Sequence, residues 1–99
     1  MAKLKNLENK VVWITGASSG LGKALARECA LQGAQVVLTS RRYDELEAVR
    51  VGLFKPECHV SIAADITDEA QVRHAHEQVL ACKGRIDWLI NNAGLSQRA

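Results

Sequence analysis

Three glycines, Gly16, Gly20 and Gly22, fall within the stretch "TGASSGLG", where an apolar run hands over to a helical pattern. The chemistry this offers is anion binding. A helix N-terminus presents unpaired N–H groups and the positive end of the macrodipole, so a phosphate docks there when side chains stay out of the way. Gly16 suits a tight turn out of the strand, and Gly20 lets the backbone approach a pyrophosphate. Gly22, further into the helix, lets helix and strand pack closely. A merely tight connection does not need Gly22.

Other reactive groups form no constellation. Tyr43 is the single tyrosine, and Glu47 stands four residues on. His74 and His76, two apart on a helical pattern, point to different faces and cannot share a metal. His59 is alone, and no set of Asp, Glu and His has ligand spacing. Ser18 and Ser19 lack the G-x-S-x-G frame of a nucleophile elbow. Cys29, Cys58 and Cys82 are odd in number and widely spaced, so neither a disulfide framework nor a zinc site is expected. All three are expected to be buried or half-buried thiols.

The elements that position the glycines alternate. Short apolar runs at Val11 to Thr15, Val36 to Thr39, Val60 to Ala64 and Ile86 to Ile90 are predicted strands, the first of a kind expected to be buried on both faces. Leu21, Leu25 and Cys29 share a face of the first predicted helix, which Gly33 ends. Leu46, Val49 and Leu53 mark a second helix, with Pro56 closing that region. Thr67 is the predicted N-cap of a third, with Asp68 and Glu69 in its first turn; Val72, Ala75 and Val79 are its apolar stripe, and Lys83 and Gly84 stop it. Strand and helix in strict alternation imply parallel strands and right-handed crossovers. The predicted fold is α/β: a partial, Rossmann-like doubly wound sheet of four strands in order 3-2-1-4 with three helices. Its switch point lies between the first and fourth strands, where ligands bind at the carboxyl ends. The glycine stretch and "NNAG" both sit there.

Composition narrows the class. The chain has 99 residues, 47% hydrophobic and 24% charged, with net charge +2. That is one domain at most, not disordered, with no basic footprint for nucleic acid or anionic membrane. No apolar run reaches membrane length and no secretory signal is seen, so a cytoplasmic protein is expected. Residues 1–9 are read as a solvated leader.

Taken together, "TGASSGLG", the "DIT" at Asp65 to Thr67 and the "GRIDWLINNAG" from Gly84 to Gly94 resemble the short-chain dehydrogenases/reductases, with every landmark in order over nearly the whole chain. The resemblance implies the N-terminal part of a single NAD(P)-binding Rossmann domain. It assigns Gly16, Ser18, Gly20 and the Leu21 backbone to the cofactor phosphates and adenosine ribose, with Gly22 completing the motif. Asp65 would bond the adenine amino group, supported by the Ile66 backbone. Asn92, Ala93 and Gly94 would line the channel toward the nicotinamide ribose, while Asn91 ties the fourth strand to its neighbours. Trp13 and Trp88 are expected near the cofactor.

Cofactor choice is set after the second strand, where an acid bonds the ribose 2′-OH of NAD and an Arg favours the 2′-phosphate of NADP. By the resemblance the acidic position corresponds to Ser40, and Arg41 follows immediately. A guanidinium matches phosphate with bidentate, charge-assisted bonds, so NADP(H) is expected over NAD(H). Arg42 either helps or is a solvated first-turn residue. The closing "GLSQR" also resembles a mostly NADP-linked subgroup.

The family's hydride transfer uses a Tyr and a Lys four residues later, and this chain has no such pair. It is therefore expected to be a catalytically incomplete fragment of an oxidoreductase acting on an alcohol or carbonyl, with exposed edges that favour self-association or a homo-oligomer. The alternative is a non-catalytic nucleotide-binding module; a Tyr-x-x-x-Lys downstream in the reading frame separates the two. A domain binding S-adenosylmethionine also has a Gly-rich first turn but wants an acid after the second strand, which Ser40 and Arg41 argue against.

Overall fold

The computed structural model describes residues 6–92. The four apolar runs become one parallel sheet, β1 (Val11–Thr15), β2 (Gln35–Ser40), β3 (Val60–Ala63) and β4 (Trp88–Asn91), in the order β3-β2-β1-β4. Three helices alternate with them: α1 (Gly20–Leu31), α2 (Tyr43–Arg50) and α3 (Glu69–Lys83). The predicted topology is the one observed. No helix among the described residues is long and apolar enough to cross a membrane.

Alternation along the central strands divides the core in two. Val12, Ile14, Val36 and Leu38 face α1 and α2, where Ala26, Cys29, Ala30, Leu46 and Val49 meet them. Val11, Trp13 and Val37 face the opposite side, with Ile62, Ala75 and Val79. Burying each large aliphatic such as Ile14 or Leu38 contributes about 1.5–3 kcal/mol. Parallel strands covered on both faces account for the near-continuous apolar runs. Among the described residues β4 pairs on its β1 side alone, and Trp88 and Leu89 stand 54% and 56% exposed.

Several local expectations are corrected. The buried face of α1 is Gly22, Ala26, Cys29 and Ala30, one position round from the leucine stripe; Leu21 is exposed and Leu25 only partly buried. Small residues win that face because the helix lies close against β1. The second helix ends at Arg50, so Leu53 enters the core from the following turn. The fourth strand starts later than Ile86, because Asp87 pairs with the entrance of β1 instead: its carboxylate accepts the Val11 N–H at 2.8 Å. Asp68, not Thr67, caps α3, taking the N–H groups of Ala70 and Gln71. A carboxylate is the better partner for two donors beside a positive helix end. The leader is not wholly solvated, although Glu8 and Asn9 are exposed. Leu7 packs into the core, and the Leu7 and Asn9 amides bond the Gln32 and Gly33 carbonyls. Burial pushes the Cys29 thiol pKa up, but Cys82 is exposed rather than half-buried.

His59 closes the amino end of the sheet. Its Nδ1 accepts the Val36 N–H at 3.0 Å, and Nε2 donates to the Phe54 carbonyl at 2.7 Å. Only a neutral ring can do both. Burial lowers its pKa below the ordinary 6.5; the Phe54 bond opposes this, Lys83 and Arg50 reinforce it, and Glu57 opposes it. The unfolded chain therefore takes up a proton at higher pH than the native one. The stability held here is complete above pH 6.5 and is lost as pH falls from there through the native pKa. The thermal midpoint is expected to drop on acidification across that window, and less steeply in His59→Gln. An unchanged slope in the variant would rule out His59 as the source.

Candidate functional site

The carboxyl ends of β1, β2 and β3 open onto a cavity of about 370 Å³ lined by Gly16, Ser18, Ser40, Arg41, Asp65 and Ile66, together with Arg42, Glu45 and Thr67. Each strand turns there into a loop rather than directly into a helix. Gly16 and Gly20 have φ of 64° and 58°, the left-handed region that an L side chain enters only at a cost. A Cβ at Gly20 would meet nothing within 4 Å, so the surface over the turn is clear. Gly22 is different. A Cβ there would strike the Gly16 carbonyl oxygen and lie 2.8 Å from Asn92 Nδ2. The glycine allows α1 to pack directly on the turn leaving β1. The N-cap of α1, Ser19, makes no side-chain bond to the helix, so its first N–H groups are not taken up by their own cap.

Asp65 is locked in an Asx turn, where Oδ1 accepts the Thr67 N–H at 2.9 Å and the Thr67 hydroxyl at 2.7 Å. These bonds, with the Arg41 charge, hold its carboxyl below the usual range. Its own amide donates to Gln71 of α3. Ser40 Oγ accepts the Arg42 N–H at 3.4 Å, and Arg42 Nε pairs with Glu45 at 3.0 Å. Arg41 is exposed and makes no ion pair among the described residues.

The structure thus brings Gly16, Ser18, Ser40, Arg41, Asp65 and Ile66 around one cavity. Gly20 and Leu21 stand at the adjoining start of α1, and Gly22 lies buried beneath it. Asn92 is buried rather than lining open space: its Nδ2 donates to the Gly16 carbonyl at 3.1 Å and pins the glycine turn from below. Asn91 does tie β4 to its neighbour, accepting the Thr15 hydroxyl at 2.9 Å. Ala93 and Gly94 lie outside the described residues. Neither tryptophan lines this cavity. Trp13 faces the α3 side, its Nε1–H bonded to Thr39 Oγ1, and Trp88 is on the open edge.

A family profile described as short chain dehydrogenase matches residues 10–99. The chain belongs to that family. It is 44% identical to the dehydrogenase/reductase SDR family protein 7-like of Anopheles gambiae, a match covering 95% of this chain and 32% of the relative. Among solved structures it resembles a short chain dehydrogenase from Bacillus anthracis, with TM-score 0.81 and 38% identity over 93% of this chain and 36% of that one. It also resembles 3-ketoacyl-(acyl-carrier-protein) reductase from Brucella melitensis, solved with NADH, with TM-score 0.77 and 39% identity over 83% and 33%. The chain spans about a third of the length of the relatives it matches. Within this short-chain dehydrogenase, two site features escaped the sequence reading. The clamp of Thr67 on Asp65 had a local signal, the D-x-T spacing of an Asx turn. The Asn92 bond to Gly16 had none, since 76 residues separate the partners.

Proposed function

We propose that this chain is the NADP(H)-binding portion of a short-chain dehydrogenase/reductase, one that in its whole form moves hydride between the nicotinamide and an alcohol or carbonyl substrate. The observation that carries the cofactor choice is the end of β2. Ser40 stands where an acid would bond a ribose 2′-OH, and Arg41, which makes no ion pair among the described residues, lines the same cavity as Asp65. The residues suit a dinucleotide. The clear surface over Gly20 and the uncapped start of α1 suit phosphate; Asp65 Oδ2, which makes no bond among the described residues, suits an adenine amino group; and the Arg41 guanidinium suits a 2′-phosphate.

Hydride transfer needs a positioned proton donor. Tyr43, the single tyrosine, is exposed at the start of α2 on the adenosine side and is followed four residues on by Glu47. On this reading these 99 residues bind cofactor without turning over substrate. Self-association across the open β4 edge, where Trp88 and Leu89 are exposed, belongs to the same proposal.

Because neither tryptophan lines the cavity, calorimetry rather than intrinsic fluorescence is the suitable test. Parallel titrations with NADPH and NADH are expected to give the lower Kd for NADPH by at least about tenfold, the value of one good charge-assisted pair. Equal dissociation constants would reject the preference.

A further inference from the structure

The rim of the cavity carries two cations, Arg41 and Arg42, and two carboxylates, Glu45 and Asp65. Their formal charges cancel, an unexpected balance for a site that receives a phosphate. Asp65 is held by Thr67 and has a separate task in the proposed reading, as the partner of the adenine amino group. Glu45 does not. It stands in the first turn of α2 with its Oε2 on Arg42 Nε at 3.0 Å. In sequence it sits within the charged run "RYDELE".

We infer that Glu45 is a specificity-determining residue, one that limits how strongly the site prefers a 2′-phosphorylated adenosine. The inference rests on reading this cavity as the adenosine end of the cofactor site. Glu45 acts in two ways. It engages Arg42, so that of the two rim arginines Arg41 is the one without an ion pair among the described residues. It also keeps a negative charge on the rim, where a phosphate dianion would stand. The pair is an open one, with the side chains 70% and 49% exposed, so water screens it and a dianion can draw Arg42 away. The carboxylate then remains beside the phosphate as an uncompensated like charge. Neither effect touches a ribose with a free 2′-OH. Glu45 therefore narrows the gap between the two cofactor types and leaves the second arginine in reserve.

The test uses adenosine 2′,5′-bisphosphate and adenosine 5′-monophosphate, which need only the adenosine end of the site. Binding of each to this chain and to Glu45→Gln is measured by calorimetry, with circular dichroism confirming that the exposed substitution leaves the fold intact. Glu45→Gln is expected to tighten the bisphosphate about threefold to fivefold, the range of an exposed ion pair, and to leave the monophosphate unchanged. The gain should shrink when Arg42→Gln is already present. A bisphosphate-to-monophosphate ratio that does not move in Glu45→Gln overturns the inference. A parent ratio of one that rises in Glu45→Gln upholds the role of Glu45 while rejecting the preference for NADP(H). If the parent binds neither probe, both fall.

Discussion

Gly22→Ala is expected to destabilise the chain by about 3 kcal/mol or more and to abolish measurable NADPH binding. Most overpacking substitutions cost roughly 1–3 kcal/mol because side chains can shift aside. Here the obstruction is backbone: the new Cβ meets the Gly16 carbonyl, with the buried Asn92 amide 2.8 Å away on the other side. Relief requires α1 to lift off the β1 turn. That movement breaks the Asn92 bond to Gly16 and displaces the helix start that faces the cavity. Domains have a total stability of about 5–15 kcal/mol, so a loss of this size is a substantial part of the whole. Urea unfolding and calorimetry on the same preparation check both halves of the statement. Gly20→Ala is the control. It has open space around its Cβ and only the left-handed φ of 58° to pay for, about 1–2 kcal/mol. If Gly22→Ala costs no more than Gly20→Ala, close packing is not what Gly22 provides.

The second large effect is on cofactor choice. Arg41→Asp is expected to weaken NADPH by about 100-fold and NADH far less. A hydrogen bond to a charged group is worth about 1.5–3 kcal/mol, and the substitution both removes it and places a carboxylate toward the 2′-phosphate. That carboxylate can instead accept the ribose 2′-OH, so NADH is expected to become the better ligand. Arg41 is exposed and unpaired among the described residues, and the fold should be indifferent to its loss. Circular dichroism and the two calorimetric constants decide the matter. Equal weakening of both cofactors would place Arg41 at a phosphate common to both, and the preference for NADP(H) would lose its main support.

Two local expectations fail for different physical reasons. A leucine stripe is expected on the buried face of α1, yet Gly22, Ala26, Cys29 and Ala30 occupy it, because contact distance to the sheet selects for small volume as well as for apolarity. Thr67 is expected to cap α3, but its hydroxyl donates to Asp65, while Asp68 meets the helix. Lys83 and Gly84 end α3 as expected, and the Lys83 ammonium also reaches the Cys58 carbonyl at 2.9 Å.

What could be read along the chain was whatever local chemistry dictates. Four apolar runs between Gly, Pro and polar breaks marked four strands. Alternation with helices implied parallel crossovers of one hand, and a doubly wound sheet of that kind has the order β3-β2-β1-β4 that is observed. The glycine stretch from Gly16 to Gly22 and the Ser40-Arg41 pair pointed to the carboxyl ends of β1 and β2, and Gly16, Ser40 and Arg41 do line one cavity there. What could not be read was the seam between β1 and β4. There Val11 meets Asp87, Thr15 meets Asn91 and Gly16 meets Asn92, each pair 76 residues apart. Dihedral preference and burial pattern are local properties of a sequence. Which donor faces which acceptor across two distant strands depends on their register, and that is settled when the sheet assembles.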